Sequence, residues 1–558
     1  MSRRVPPVEG ARFGDDWWQR GVIYQVYPRS FADSDGDGVG DLDGIIDHLD
    51  HLGPGGLGID AIWLSPIYPS PGLDLGYDVS DHERVDPVFG SEDVFDRLVA
   101  EAHRRGIRIV LDLVMNHTSD AHRWFESSRA DRDGPFADWY LWRDPGGMGA
   151  DGQPLPPNNW ISFFGGTGWE WEPRRGQLYF HTFMVEQPEL NWRHPGVEEA
   201  QFRMVRGWLA RGVDGFRLDV FNLFLKHPDL ASNPIREGRG PWDRQVHLHD
   251  RDQPDFPALI GRFRAILEEE PGRMSVGELF DGNAEAAAGL TAGSHLVFDW
   301  TLIDATWTAP AIRAAIGERE AAFGAGCWPT AVLSNHDRPR HASRLAATGG
   351  VRDTDAVARA AAVLLLTVRG TPFLYYGEEL GMRDVDIAPE ESVDPPAFRF
   401  SSDSRPWDRS GCRTPMPWSP GPGSGFTTGR PWLRLGPDVE ERNVEVQQAD
   451  PHSVLSTYLH LLALRVATPA LQLGSLRLDP DSSGDIVAYT REAPGQRILV
   501  LLNLGRGDSD WRLSATAGES GWRLRFETAP AAAPGSVVAS GASLILGPNE
   551  AVVLEAIG

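Results

Sequence analysis

Eight short stretches are almost without interruption apolar: residues 21–27, 60–66, 107–113, 215–220, 274–279, 295–300, 330–334 and 372–376. A strand wetted on one face alternates polar and apolar residues, whereas an unbroken apolar run marks a strand covered on both faces. Helical patterns lie between these runs, for example over 91–105 and 197–211. Doubly buried strands alternating with helices predict an α/β chain whose core is a (β/α)8 (TIM) barrel.

The spacing of the runs predicts the other domains. A Trp-, Gly- and Pro-rich interval of residues 117–191 separates the third strand from the fourth. It is too long for a structureless loop and predicts an inserted lid domain over the barrel mouth. The barrel then comprises 1–116 and 192–468, and the irregular stretch 384–436 after the eighth strand is expected to form another wall of the mouth. From 469 to 558 the texture changes to short strands (486–490, 497–502, 543–546, 551–554), predicting a C-terminal all-β sandwich domain.

Composition excludes some functions. A net charge of −26 disfavours nucleic acid and anionic membranes as partners. No apolar run reaches the length of a membrane span, and residues 1–7 lead into polar sequence without a signal core. With only Cys327 and Cys412, no disulfide framework is implied, and a cytoplasmic location is expected. Lys226 is the only lysine in an Arg-rich chain, a feature attributed to coding bias. A monomer or small homo-oligomer is expected.

Polar residues collect at the C-terminal ends of the proposed strands, where barrel enzymes carry their sites. The fourth strand, within 212–220, carries Arg217 and Asp219 two residues apart and so on one face. A cation there would lower the carboxylate's pKa and keep it ionised, as a carboxylate nucleophile requires. A structural Arg–Asp pair fits this stretch equally well. Asp112, Asn116 and His117 close the third strand, Glu278 the fifth, and Asn335, His336 and Asp337 the seventh. Asp219, Glu278 and Asp337 should therefore converge on one mouth under a Trp-rich lid, which suggests glycosidic chemistry.

These segments, with 187–191 (QPELN) and 60–66, resemble the ordered motif set of the α-amylase superfamily, glycoside hydrolase family 13, over nearly the whole chain. Within it, 74–78 (DLGYD) and 412–416 (CRTPM) are similar to motifs of exo-acting α-glucosidases and oligo-1,6-glucosidases. The resemblance implies Asp219 as nucleophile, Glu278 as general acid/base and Asp337 as the residue that holds and distorts the sugar. It implies hydrogen bonds to sugar hydroxyls from His117 and His336, stacking by Tyr77, and a wall from Phe164. It also implies recognition of the terminal 4-hydroxyl by Asp74 and Arg413, with Arg217 beside the nucleophile. Expected substrates are small α-glucosides such as isomaltose, maltose, sucrose or short oligosaccharides. Transglucosylation is expected alongside hydrolysis. The alternative is a glucosyl transferase or isomerase such as trehalose synthase or sucrose isomerase.

Asp33, Asp35, Asp37 and Asp41 alternate with glycines and Val39, a spacing that supplies hard oxygen ligands around a turn. A plain Asx-rich turn is the other reading. The resemblance implies a structural Ca²⁺ or Mg²⁺ held by the four aspartates and the Val39 carbonyl, with no catalytic cofactor. Val220, next to the nucleophile, accompanies α-1,6 preference in the resembling enzymes. Two positions depart from their pattern: Glu189 stands where Asp is usual, and Pro417 where oligo-1,6-glucosidases carry Gln. Glu378, Glu379, His247, His249 and Asp250 are read as structural or solvated.

Overall fold

The computed structural model describes residues 12–394, 397, 408–514, 520–529 and 535–557. The expectation for residues 1–7, and that for part of 384–436, falls outside the described residues.

Eight parallel strands form the central sheet: β1 (Ile23–Val26), β2 (Ala61–Leu64), β3 (Arg108–Leu113), β4 (Gly215–Leu218), β5 (Met274–Gly277), β6 (Leu296–Val297), β7 (Thr330–Val332) and β8 (Thr371–Tyr375). Their order is β6-β5-β4-β3-β2-β1-β8-β7, so sequence neighbours pair and β8 returns to β1. Alternate residues face opposite ways within the apolar runs. Ile23, Trp63, Val110, Val276, Val332 and Phe373 fill the interior with Phe298. Tyr24, Ile62, Leu64, Ile109 and Leu111 face the surrounding helices. A barrel interior is thus a packed core, which leaves the site to the rim.

The remaining junction, between β6 and β7, is closed by side chains. The Asp299 amide donates to Thr330 Oγ1 at 3.0 Å, and that hydroxyl lies 3.4 Å from the Val297 carbonyl. Arg319 spans the seam, donating to Asp299 and to the Thr330 carbonyl, and both partners of the Arg319–Asp299 pair are fully buried. Removing one member of such a pair strands a charge in the interior and costs about 3–5 kcal/mol.

The helices begin where their caps allow. Ser91 accepts from the Val94 amide at the start of Glu92–Arg104, and Pro195–Ala210 opens with proline in its first turn. Between β3 and β4, helix Arg123–Ala130 leads into a three-stranded sheet ordered Trp142–Arg143, Gln177–Phe180, Trp169–Glu172. Its small core of Leu141, Trp160, Trp169, Leu178 and Phe180 includes Leu230 from the loop after β4. The lid and the loop after β4 therefore share apolar packing.

The C-terminal domain is all β. A six-stranded antiparallel sheet (Ser475–Leu478, Ile486–Ala493, Gln496–Asn503, Ala551–Ile557, Gly521–Glu527, Val537–Ala539) faces the pair Ser509–Arg512 and Ser543–Leu546. Trp511, Leu513, Leu546, Trp522 and Leu524 share the core between them.

Candidate active site

Arg217 is the last inward residue of β4 and is buried beneath the mouth, its guanidinium 5.3 Å from the Trp63 ring and 5.7 Å from the Tyr77 ring. It pairs with three carboxylates, each from a different strand end. Nη1 lies 2.7 Å from both Asp219 and Asp112, and Nη2 lies 2.5 Å from Glu278. Asp219 and Glu278 are thus held at the two ends of one planar group. Two local backbone features make this possible. A Cβ at Gly277 would sit 2.4 Å from the Phe221 ring, so only glycine lets β5 deliver Glu278 here. Val220 adopts a left-handed conformation (φ 36°, ψ 43°), a strained state for a β-branched residue. That turn lets the Val220 amide donate to Glu278 Oε2 at 3.2 Å.

Electrostatics in this pocket differ from the sequence-based expectation for Asp219. Burial pushes its carboxyl well above the usual range; Arg217 pulls it down, while Glu278, Asp112 and Asp337 push it further up. Asp112, raised by burial against the pull of Arg217, reaches about 6. One guanidinium cannot neutralise so many carboxylates, so Asp219 and Asp112 do not titrate independently. Asp337 goes the other way. Burial would raise it, but His336, Arg409, Arg413 and Arg217 together hold it well below the usual carboxylate range.

Asp337 anchors the closed end of the pocket. Its Oδ1 accepts from Arg409 Nη1 at 3.0 Å and from Arg413 Nη2 at 2.9 Å. Asp74 receives Arg409 Nη2 at 2.7 Å and Gln187 Nε2 at 3.0 Å. Asp74 and Arg413, both expected at the terminal 4-hydroxyl, are linked through Arg409 and Asp337: Asp74 pairs with Arg409, and Arg413 turns toward Asp337 and the His336 carbonyl. Arg409 is further oriented by Asp394 at 2.7 Å.

The two histidines are buried and neutral. His336 stacks on Tyr77 with ring centroids 5.3 Å apart, contacts its hydroxyl at 2.5 Å and Gln25 Nε2 at 2.8 Å, and is held far below its ordinary pKa by burial. His117, lowered by burial, lies 3.1 Å from the Tyr77 carbonyl and 3.2 Å from Gln187. Tyr77 also donates to Asp112 at 3.0 Å. Phe164 sits in an aromatic rim with Phe163 and Phe183, which continues through Phe280 and Trp242. Phe183 reaches the pocket itself, 5.5 Å from the His117 ring.

The remaining polar groups lie elsewhere. Glu378, pushed up to about 8 by burial, and Glu379 hydrogen-bond Tyr458 and Tyr24. His247 pairs with Asp250 at 2.7 Å and stacks under Trp242. In the Asp loop, carboxylate oxygens of Asp33, Asp35 and Asp37 lie within 4.8 Å of one another. Asp41 caps the next helix, accepting from Gly44 and Ser34 amides, and stands outside that trio.

Residues 25–474 match the model of the "Alpha amylase, catalytic domain" family. A "Probable alpha-glucosidase" of Rhizobium meliloti is 42% identical over 509 residues, covering 88% of this chain and 89% of that protein. An α-glucosyl transfer enzyme, XgtA, superposes with TM-score 0.87 at 41% identity, covering 97% of this chain and 99% of the other. The trehalulose synthase MutB of Pseudomonas mesoacidophila MX-45 gives TM-score 0.86 at 35% identity, with coverage of 97% and 99%. The chain belongs to the α-amylase family, glycoside hydrolase family 13. It is a glycoside hydrolase.

The coupled carboxylates fix a pH prediction. With Asp219 as the nucleophile that the resemblance implies, its raised pKa places the acid limb of kcat/KM above the ordinary carboxylate range. Asp112→Asn removes a negative neighbour and a competitor for Arg217, so the limb should move to lower pH. Stopped assays across the acid range read this directly; a limb that stays put or rises would contradict the coupling.

Proposed function

We propose that the protein is a retaining, exo-acting α-glucosidase on short α-glucosides: isomaltose, maltose, sucrose or small oligosaccharides. The observation that carries this reading is the pocket's form. One end is blocked by the Asp74–Arg409–Asp337–Arg413 network, and Asp219 and Glu278 stand on one guanidinium at the other. A chain of sugars can enter such a pocket only by its terminal residue. Two carboxyl groups on one guanidinium fit the short separation of a retaining pair, roughly 5–5.5 Å, better than the wider spacing of an inverting pair.

In this reading an Asp219 oxygen attacks C1 of the terminal glucose. The C1–O bond breaks as Glu278 gives its proton to the leaving oxygen. A water then loses its proton to Glu278 and attacks C1, which frees Asp219 and releases glucose with its configuration retained. Arg217 stabilises Asp219 when it becomes the leaving group again. Asp74, Arg409, His117, His336 and Asp337 hold the ring hydroxyls, and Tyr77 gives it an apolar floor. Phe164 and the other rim aromatics line the side where the leaving group departs.

That rim supports a second reading. Five aromatic rings exclude water and offer stacking faces to a second sugar, which favours transfer of the glucosyl group to an acceptor, or isomerisation. XgtA and MutB, the similar structures, are described as transfer and trehalulose-forming enzymes. A cytoplasmic setting fits the two unpaired cysteines, and no described helix is long and apolar enough to cross a membrane.

We also propose that Asp33, Asp35 and Asp37, with Asp41 and the Val39 carbonyl, hold a structural Ca²⁺ or Mg²⁺. The donor set is all hard oxygen, and among the described residues these carboxylates have no ion-pair partner. The bond from Thr427 to Asp33 would let such an ion brace β8's following segment against the first barrel helix.

Two measurements test these readings. Side-by-side kcat/KM on isomaltose, maltose and sucrose, with product chromatography at low and high substrate, should show glucose release from each active substrate, and transfer products rising with concentration. A preference for isomaltose supports the role of Val220; long-chain cleavage in mid-chain would contradict the exo reading. For the ion, chelation should lower the melting temperature and added Ca²⁺ or Mg²⁺ restore it, an effect that Asp35→Asn weakens. A melting temperature indifferent to both would exclude the ion.

A further inference from the structure

Lys226 is the only lysine among 53 basic residues, and it is buried. It lies seven positions after Asp219, in the loop that follows β4, and its ammonium points into the lid. There it meets Glu189, fully buried, and the Leu223 carbonyl, with the Phe180 ring 5.7 Å away. Glu189 is otherwise satisfied by the Thr182 amide and hydroxyl, both at 3.0 Å. The Lys226 carbonyl accepts from Arg193 Nε at 2.6 Å, so the residue is gripped at both ends.

Glu189 belongs to the segment that builds one side of the pocket. It bridges to His117; the Leu190 amide donates to the Asn116 carbonyl at 3.0 Å, and the Thr118 amide to the Pro188 carbonyl at 3.2 Å. Gln187, two residues away, reaches Asp74 and His117. An ion pair at Glu189 thus ties the nucleophile's loop to the strand that sets His117 and Gln187. The site also explains the residue type. A compact ammonium suits two acceptors and a ring face, whereas arginine's planar fork carries five donors, more than the two acceptors Lys226 meets here. A chain that uses arginine at every other basic position has kept lysine here.

We propose that Lys226 is a positioning residue for the glucose pocket, its ammonium locking segment 187–191 of the lid onto the loop behind the nucleophile. The inference rests on the pocket assignment above. Two readouts test it. First, Lys226→Arg, Glu189→Gln and the double variant Lys226→Met/Glu189→Leu are compared with the wild type in kcat and KM on p-nitrophenyl α-glucoside, in glucose affinity and in melting temperature. Removing both charges should restore much of the stability lost in the singles. Glucose affinity and kcat/KM should nevertheless stay at least tenfold below wild type. A double variant with wild-type glucose affinity and turnover would make the pair structural only and overturn the inference.

Second, where single variants fail to fold, the wild-type chain reports on itself. Lys226 is its only ε-amine, so reductive methylation followed by peptide mass analysis reads opening of this one pair, with the α-amine as internal control. Saturating glucose should slow methylation of Lys226 at least tenfold and leave the α-amine rate unchanged. Equal Lys226 rates with and without glucose would overturn the coupling. A wild type that releases no glucose from the aryl glucoside would overturn the pocket assignment, and this inference with it. Active wild type with unchanged variants overturns this inference alone.

Discussion

The site depends on one buried guanidinium. Arg217 cannot be deprotonated at any working pH, so a positive charge is fixed beneath the mouth, and the carboxylates are placed around it. This arrangement is costly, because burial pushes Asp112 and Asp219 toward their neutral forms. It persists because each partner is supplied by a different strand: Asp112 by β3, Asp219 by β4 and Glu278 by β5. Their convergence is a property of the barrel rather than of any single loop. The strained Val220 and the glycine before Glu278 are the local concessions that let two strand ends share one cation.

A second charge network does a different job at the far end. Asp337, kept ionised by Arg409, Arg413 and Arg217, is an acceptor that stays an acceptor. Asp219 and Asp112 sit instead where a proton can be gained or lost. The same pocket therefore holds a permanently charged end and a titrating end, separated by neutral His336 stacked on Tyr77. In the proposed reading, substrate recognition and proton transfer can be set independently.

Much of this was legible in the sequence. Unbroken apolar runs mark the doubly covered strands, and polar residues at their ends mark the mouth, which is why the sequence alone brings Asp219, Glu278 and Asp337 to one rim. Other features left weaker traces. Arg409 lies in an irregular stretch with no periodicity to say which way it points, so its place between Asp74 and Asp337 has no sequence signal. Phe183 and Trp242 come from loops whose folding is set by tertiary packing. The upward shift of Asp219 depends on burial and on Asp112, and neither can be read from an Arg two residues away. Strand Gly521–Glu527 alternates Trp, Leu and Phe with Arg, a period-two signal that was present and overlooked. Lys226 stood out by composition alone, and only its burial against Glu189 gave the oddity a physical reason.

The most direct test of the account is to trap the covalent intermediate. A 5-fluoroglucosyl fluoride forms the glucosyl-enzyme faster than water can release it, and peptide mass analysis then identifies the modified side chain. The account predicts one fluoroglucosyl group esterified to Asp219, lost on incubation with an acceptor sugar. An adduct on any other residue, or turnover of the fluoride with inverted product and no adduct, would contradict it.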